Sequence, residues 1–226
     1  MSLIIEGSDN LGKTIFAKKL IRYVWDHDEY PVMYSWMTRP NEATFDFAKN
    51  YRMMINSYTI QDRFHLGAIA YHKNKILAEH LNWIEEWIRD VGGFVVLLFA
   101  KDEDWYKKYL VKDKRGNLLA NEILCKANSI FTQIAMGQHP LRPSFSYAFD
   151  ISSENFIDDK NVEHIAEAWM KHRRRFIKEL LNKTIKQLCK NCHGKGGNYF
   201  RDAGKEGDLT FWQPCQKCKE NEEKNK

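Results

Sequence analysis

The sequence contains no apolar run long enough to cross a bilayer or to act as a signal peptide. It has no internal repeat and no heavy excess of charge of one sign, with 35 Lys and Arg against 30 Asp and Glu giving a net +5. The first absence sets the expectation of a cytoplasmic protein with no membrane partner. The second excludes solenoids and propellers. The third agrees with phosphate-bearing partners without separating a nucleotide from a polymer. Cysteine is sparse over most of the chain: Cys125 stands alone, and Cys189, Cys192, Cys215 and Cys218 fall near the C-terminus as two C-x-x-C pairs. That pattern reads as metal rather than disulfide, and it suits a reducing compartment.

What is present suits one α/β domain of ordinary size, since 226 residues at 43% hydrophobic composition can bury a sizeable core. Leu3 to Glu6 form a short apolar run ending in a glycine-rich turn, after which Phe16, Ala17, Leu20, Ile21 and Val24 recur at helical spacing. Further strands are predicted from Val32 to Trp36, from Tyr58 to Gln61 and, most apolar of all, from Phe94 to Phe99. Leu77, Leu81, Ile84, Ile88 and Val91 line one face of a helix that Gly92 and Gly93 end. Lys101 to Asn117 turns polar and basic and reads as a mobile excursion. Tyr147 to Ile151 is a weaker strand, followed by a long helix with one seam through Val162, Ile165, Trp169, Phe176, Leu180 and Leu188. Strands alternating with helices imply a parallel sheet covered on both faces. The run Lys171 to Arg175 reads as a solvated helix face and Cys125 as a small core residue.

Gly7-Ser8-Asp9-Asn10-Leu11-Gly12-Lys13-Thr14 fits G-x-x-x-x-G-K-[ST] in full, with a strand before it and a helix after it. Glycines let the backbone curl so that successive N–H groups face phosphate oxygens, and the helix N-terminus adds partial positive charge. Lys13 is expected to reach the β- and γ-phosphates of ATP, and Thr14 to place its hydroxyl on magnesium. The expected fold class is therefore a three-layer α/β P-loop NTPase fold with a parallel sheet.

Glu6 to Thr14 resembles the E-G-x-D-x-x-G-K-[ST] of thymidylate kinases. Asp62-Arg63-Phe64-His65-Leu66-Gly67-Ala68-Ile69-Ala70-Tyr71-His72 is similar to that family's D-R-Y-x-x-S-x-x-A-Y-Q, and Thr38-Arg39-Pro40 to its T-R-E-P without the glutamate. In order of elements the resemblance spans roughly residues 1 to 180. It implies that Asp9 contacts the sugar 3'-hydroxyl of an acceptor nucleotide, that Arg39 and Arg63 hold its phosphate, and that Phe64 and Tyr71 line its site. Tyr71 matches the tyrosine that disfavours a 2'-hydroxyl, or it is a core aromatic. Arginine suits the acceptor because its planar fork fixes the oxygens of a dianion in line with the γ-phosphate. Asp62, at the end of a strand, is placed to hold magnesium through water, although a D-R pair can also be a structural ion pair.

The chain departs from the family in two places. Asn10-Leu11 stands where some thymidylate kinases keep an arginine, so the basic residue on the transferring phosphoryl group is expected from a lid around Lys112, Lys114 and Arg115, with Arg142 as competitor. The segment between Arg39 and Asp62 is short, leaving Phe45, Phe47, Tyr51 and Arg52 as candidates for the base pocket.

The four C-terminal cysteines offer one tetrahedral zinc four thiolates, with His193 as a substitute ligand, and so short a segment cannot fold on a core of its own. Cys189 to Gly196 resembles the C-x-x-C-x-G-x-G of the DnaJ zinc region. The expected organisation is a kinase domain over 1–182, the end of a long helix over 183–188, a zinc-ribbon-like module over 189–218 and a disordered tail over 219–226. Lys195, Arg201, Lys205 and Lys217 among aromatics would also suit a nucleic acid partner. The leading expectation is ATP- and magnesium-dependent transfer to a deoxynucleoside monophosphate, dTMP or a 5-modified dUMP. The alternatives are a kinase acting on nucleotides within DNA and an ATP-dependent nucleic-acid-binding module. The family's habit implies a homodimer.

Overall fold

The computed structural model describes residues 1–28, 32–36, 58–71, 78–112, 120–188, 197–201 and 210–216. Strands β1 (Leu3–Gly7) and β4 (Phe94–Phe99) are buried along their whole lengths, as apolar runs covered on both faces must be. With β2 (Met33–Trp36), β3 (Thr59–Asp62) and β5 (Tyr147–Asp150) they form a sheet of order β2-β3-β1-β4-β5. Every pairing in it is parallel. The helices are α1 (Lys13–His27), α2 (His65–Tyr71), α3 (Ala78–Asp90), α4 (Glu103–Lys112), α5 (Asn121–Ala135) and α6 (Asp159–Leu188).

Alternation along the central strands sorts the core into two layers. Leu3, Ile5, Val96 and Leu98 pack with Phe16, Leu20 and Val24 of α1 and with Ile165 and Trp169 of α6. Ile4, Val95, Leu97 and Phe99 pack with α2, α3 and α5 through Leu66, Ile69, Ile84 and Phe131. The expected three-layer arrangement is present. Its layers carry real weight: truncating the fully buried Phe131 to alanine would cost about 3–5 kcal/mol, against a typical net stability of about 5–15.

The glycines predicted to end α3 do so, Gly92 N donating to Arg89 O (3.1 Å) and Gly93 N to Ile88 O (2.7 Å). The stretch read as a mobile excursion from Lys101 is corrected over its described part. Glu103–Lys112 is helix α4, because Tyr106 and Leu110 recur at helical spacing and are buried beneath the charged residues around them. Helix α5 was not anticipated, although Leu124, Ala127, Phe131 and Ile134 give it a buried stripe. Cys125 is half-buried against the first layer. In the basic run Lys171, Arg174 and Arg175 are exposed as expected. His172 instead lies over the Phe94 ring (5.6 Å) with Nε2 3.3 Å from Gly92 O, and Arg173 is buried.

The chain leaves β1 through α1 on one face of the sheet, and leaves β3 through α2 and α3 on the other. β1 and β3 are neighbours, so their C-terminal ends form the switch point where open α/β sheets hold ligands.

The chain divides into two compact units, residues 1–172 and 173–226. The second holds the end of α6 and an antiparallel hairpin of β6 (Gly197–Arg201) and β7 (Thr210–Pro214), in which Gly197 faces Pro214 and Phe200 faces Phe211. Among the described residues no helix is long and apolar enough to cross a membrane.

Candidate nucleotide site

The loop that leaves β1 is shaped by close approach. Gly7 has φ 141° and lies against β4, where a Cβ would collide with the Leu98 carbonyl oxygen. Gly12 (φ 81°) is the N-cap of α1, and its carbonyl accepts the amides of Ile15 and Phe16, both at 3.0 Å. No side chain caps this helix and no acid stands in its first turn, so its partial positive charge remains available to an anion.

The loop is gripped from two helices. Tyr71 at the end of α2 accepts the Asp9 N–H on its hydroxyl (2.9 Å), while Tyr106 of α4 donates to Asp9 O (3.0 Å). The buried Ser8 hydroxyl lies 2.7 Å from Tyr106 Oη and donates to Leu124 O at 3.2 Å. Burial pushes the Tyr71 phenol up to about 12 and that of Tyr106 higher, so both stay protonated. Tyr71 thus turns its hydroxyl to the loop backbone, with its ring edge-on to Phe131. Tyr106 escaped the sequence reading because it sits among charges; the signal was its spacing from Leu110.

Four charges meet here. Lys13, 5% exposed, donates to Gly7 O (3.0 Å) and Ser8 O (2.6 Å) and lies 3.8 Å from Asp9 Oδ1. Burial pulls its pKa down, against the pull of Asp9 and Asp62. Asp9 Oδ1 is 2.7 Å from Arg63 Nη2. Arg63 has φ 69°, a left-handed backbone that costs a non-glycine residue about 1–3 kcal/mol. Its N–H donates to Ile5 O (2.9 Å) and its carbonyl accepts from Gln61 Nε2 (3.1 Å), which together impose that conformation.

Asp62, 1% exposed, completes the group. Its Oδ2 accepts from Thr14 Oγ1 (2.9 Å) and from Tyr34 Oη of β2 (2.9 Å), whereas its buried Oδ1 has no hydrogen-bond partner. A carboxylate and a hydroxyl joined this way form a hard-oxygen donor set of the kind magnesium takes. Asn10, Gly12, Lys13, Thr14, Asp62 and Arg63 line a cavity of about 120 Å³.

Glu6 works beneath the loop. Fully buried, it accepts the amides of Leu66 (2.7 Å) and Gly67 (3.2 Å) and so ties β1 to the start of α2. Burial pushes its pKa up, and His65 opposes this, with Nδ1 3.7 Å from Glu6 Oε1 and Nε2 3.7 Å from Glu85 Oε1.

The structure therefore gathers Gly7, Ser8, Asp9, Asn10, Leu11, Gly12, Lys13, Thr14, Asp62, Arg63 and Tyr71 at one switch point. Phe64, expected beside the acceptor, is buried in the second core layer. Arg142 is exposed on the loop before β5. Arg39, Lys114, Arg115 and the base-pocket candidates Phe45, Phe47, Tyr51 and Arg52 lie outside the described residues, as do Cys189, Cys192 and Cys218. Cys215 is buried directly after β7. Among the described residues no group of three or more metal-binding side chains occurs.

No family model matches the sequence, and no curated protein does. Among solved structures the chain is similar to the YorR protein of Bacillus subtilis, crystallised in complex with phosphorylated GDP. The two share 19% identity at a TM-score of 0.55, over 76% of this chain and 98% of that one. The likeness is one of fold alone, and it agrees with the parallel sheet and the glycine-rich loop described above.

Proposed function

We propose that this protein is a nucleoside monophosphate kinase, moving the γ-phosphate of ATP to a deoxynucleoside monophosphate, dTMP or a 5-modified dUMP. The observation that carries the reading is the convergence on one cavity of Lys13, the Thr14–Asp62 pair and Arg63, itself ion-paired to Asp9. The nucleotide in YorR supports it: a protein of like fold holds a guanine nucleotide bearing an added phosphate.

Lys13 exchanges its bonds to Gly7 O and Ser8 O for the β- and γ-phosphate oxygens, and the N-terminus of α1 supplies positive charge beside it. Thr14 and Asp62 would hold magnesium, which when bound offsets the charge that builds up on the phosphates. Arg63 grips the acceptor phosphate with the planar fork of its guanidinium, while Asp9 accepts the acceptor's 3'-OH. Tyr71, anchored through Asp9 N, stands by the sugar and disfavours a 2'-hydroxyl. Arg39 joins Arg63 on the acceptor phosphate, Arg115 serves as the lid cation, and the four C-terminal cysteines bind zinc.

The test is incubation with ATP, magnesium and a panel of free ribo- and deoxynucleoside monophosphates. A diphosphate should form from deoxypyrimidines, with ribonucleotides clearly poorer. Label from γ-labelled ATP appearing in DNA and in no free monophosphate would replace this reading with a polymer-acting kinase.

A further inference from the structure

Tyr34 is oddly placed for either of the ordinary uses of a tyrosine. It lies on the edge strand β2 with 39% of its surface exposed, so its ring is no part of the core. A solvated tyrosine would leave its hydroxyl in water. This one turns it inward, 2.9 Å from Oδ2 of a carboxylate that is itself 1% exposed.

The consequence falls on Asp62. Thr14 and Tyr34 both donate to Oδ2, which fixes the plane of the carboxylate, and Oδ1 keeps its lone pairs with no hydrogen-bond partner. With Thr14 alone the group could turn about its bond and exchange the two oxygens. Resting on the phosphoryl-transfer reading above, we propose that Tyr34 is a positioning residue which sets the affinity of the site for a hydrated divalent cation by holding Asp62 in one orientation. It touches neither nucleotide nor metal in this role.

The experiment uses the full chain and a fluorescent, non-hydrolysable ATP analogue, titrated with and without Mg²⁺. In the wild type Mg²⁺ should tighten binding of the analogue. Tyr34→Phe, which removes one oxygen atom, should keep the Mg²⁺-free affinity within about twofold. The tightening by Mg²⁺ should fall about tenfold, as expected for one hydrogen bond to a charged group. The Mg²⁺ concentration for half-maximal binding should rise by a similar factor. Tyr34→Leu should behave like Tyr34→Phe. A loss in Tyr34→Leu with Tyr34→Phe unchanged would assign the effect to ring packing and overturn the proposal, as would unchanged Mg²⁺ tightening in both. A wild type whose nucleotide binding ignores Mg²⁺ altogether would overturn the phosphoryl-transfer reading as well, which separates the two failures.

Discussion

At the scale of single residues, Lys13 and Tyr106 act on the same loop in different ways. Lys13 is a buried cation whose fold-side partners are two carbonyls and Asp9. Lys13→Met keeps the stem and removes the charge, so phosphoryl transfer should fall by about 100-fold or more. The circular dichroism spectrum should stay native, since methionine fills nearly the same space as the lysine stem. Tyr106→Phe does the reverse. It leaves every charge in place and takes from Asp9 O and Ser8 Oγ a buried hydroxyl, so denaturant titration should show a loss of about 1–3 kcal/mol. The sequence names Lys13 and Thr14 because phosphate chemistry demands those types at that spacing, and it names Asp9, Asp62 and Arg63 through the resemblance to thymidylate kinases. It is silent on Tyr34 and Tyr106, which reach the site from distant elements through one hydroxyl each. No spacing rule records such a contact.

Whole elements follow a similar division. The strands and α1, α3 and α6 are legible because their apolar residues recur without interruption by opposite cues. Helix α4 is not: its lysines and acids dominate the composition, and only Tyr106 and Leu110 carry the burial. Helix α5 hides its stripe behind polar neighbours, Asn128 among them, which is buried because it spends both ends of its amide on Ala100. The turn after β5 gives an element-scale prediction. Burial acts to raise the Asp150 pKa, but donation from Lys101 N (3.0 Å), Ser152 N (3.1 Å) and the Ser152 hydroxyl brings it below the usual carboxylate value. A depressed folded-state pKa means stabilisation that is present above the unfolded value and lost as pH falls through the folded one. Asp150→Asn should therefore cost about 1–2 kcal/mol at neutral pH, and its denaturation curve should converge on that of the wild type in acid.

For the molecule as a whole, the sequence reading draws its boundaries at residues 182 and 189, and the structure divides into compact units of residues 1–172 and 173–226. The β6–β7 hairpin lies between the two C-x-x-C pairs of the sequence. If those pairs close one site, elemental analysis should find about one zinc per chain. Cys189→Ser should lose it and expose the second unit to proteolysis, as binding and folding of such small units are linked. The base pocket was illegible for a different reason, because the stretch that would form it departs from the family's length. At the phosphate site, the ion pair between Asp9 and Arg63 has one more effect. Asp9 and Asp62 balance Lys13 and Arg63, so these four side chains present almost no net field to the surrounding solution. They give an approaching nucleotide little long-range pull. Capture at this group should then depend on collision and loop rearrangement, and its association rate should barely change as added salt shortens the Debye length.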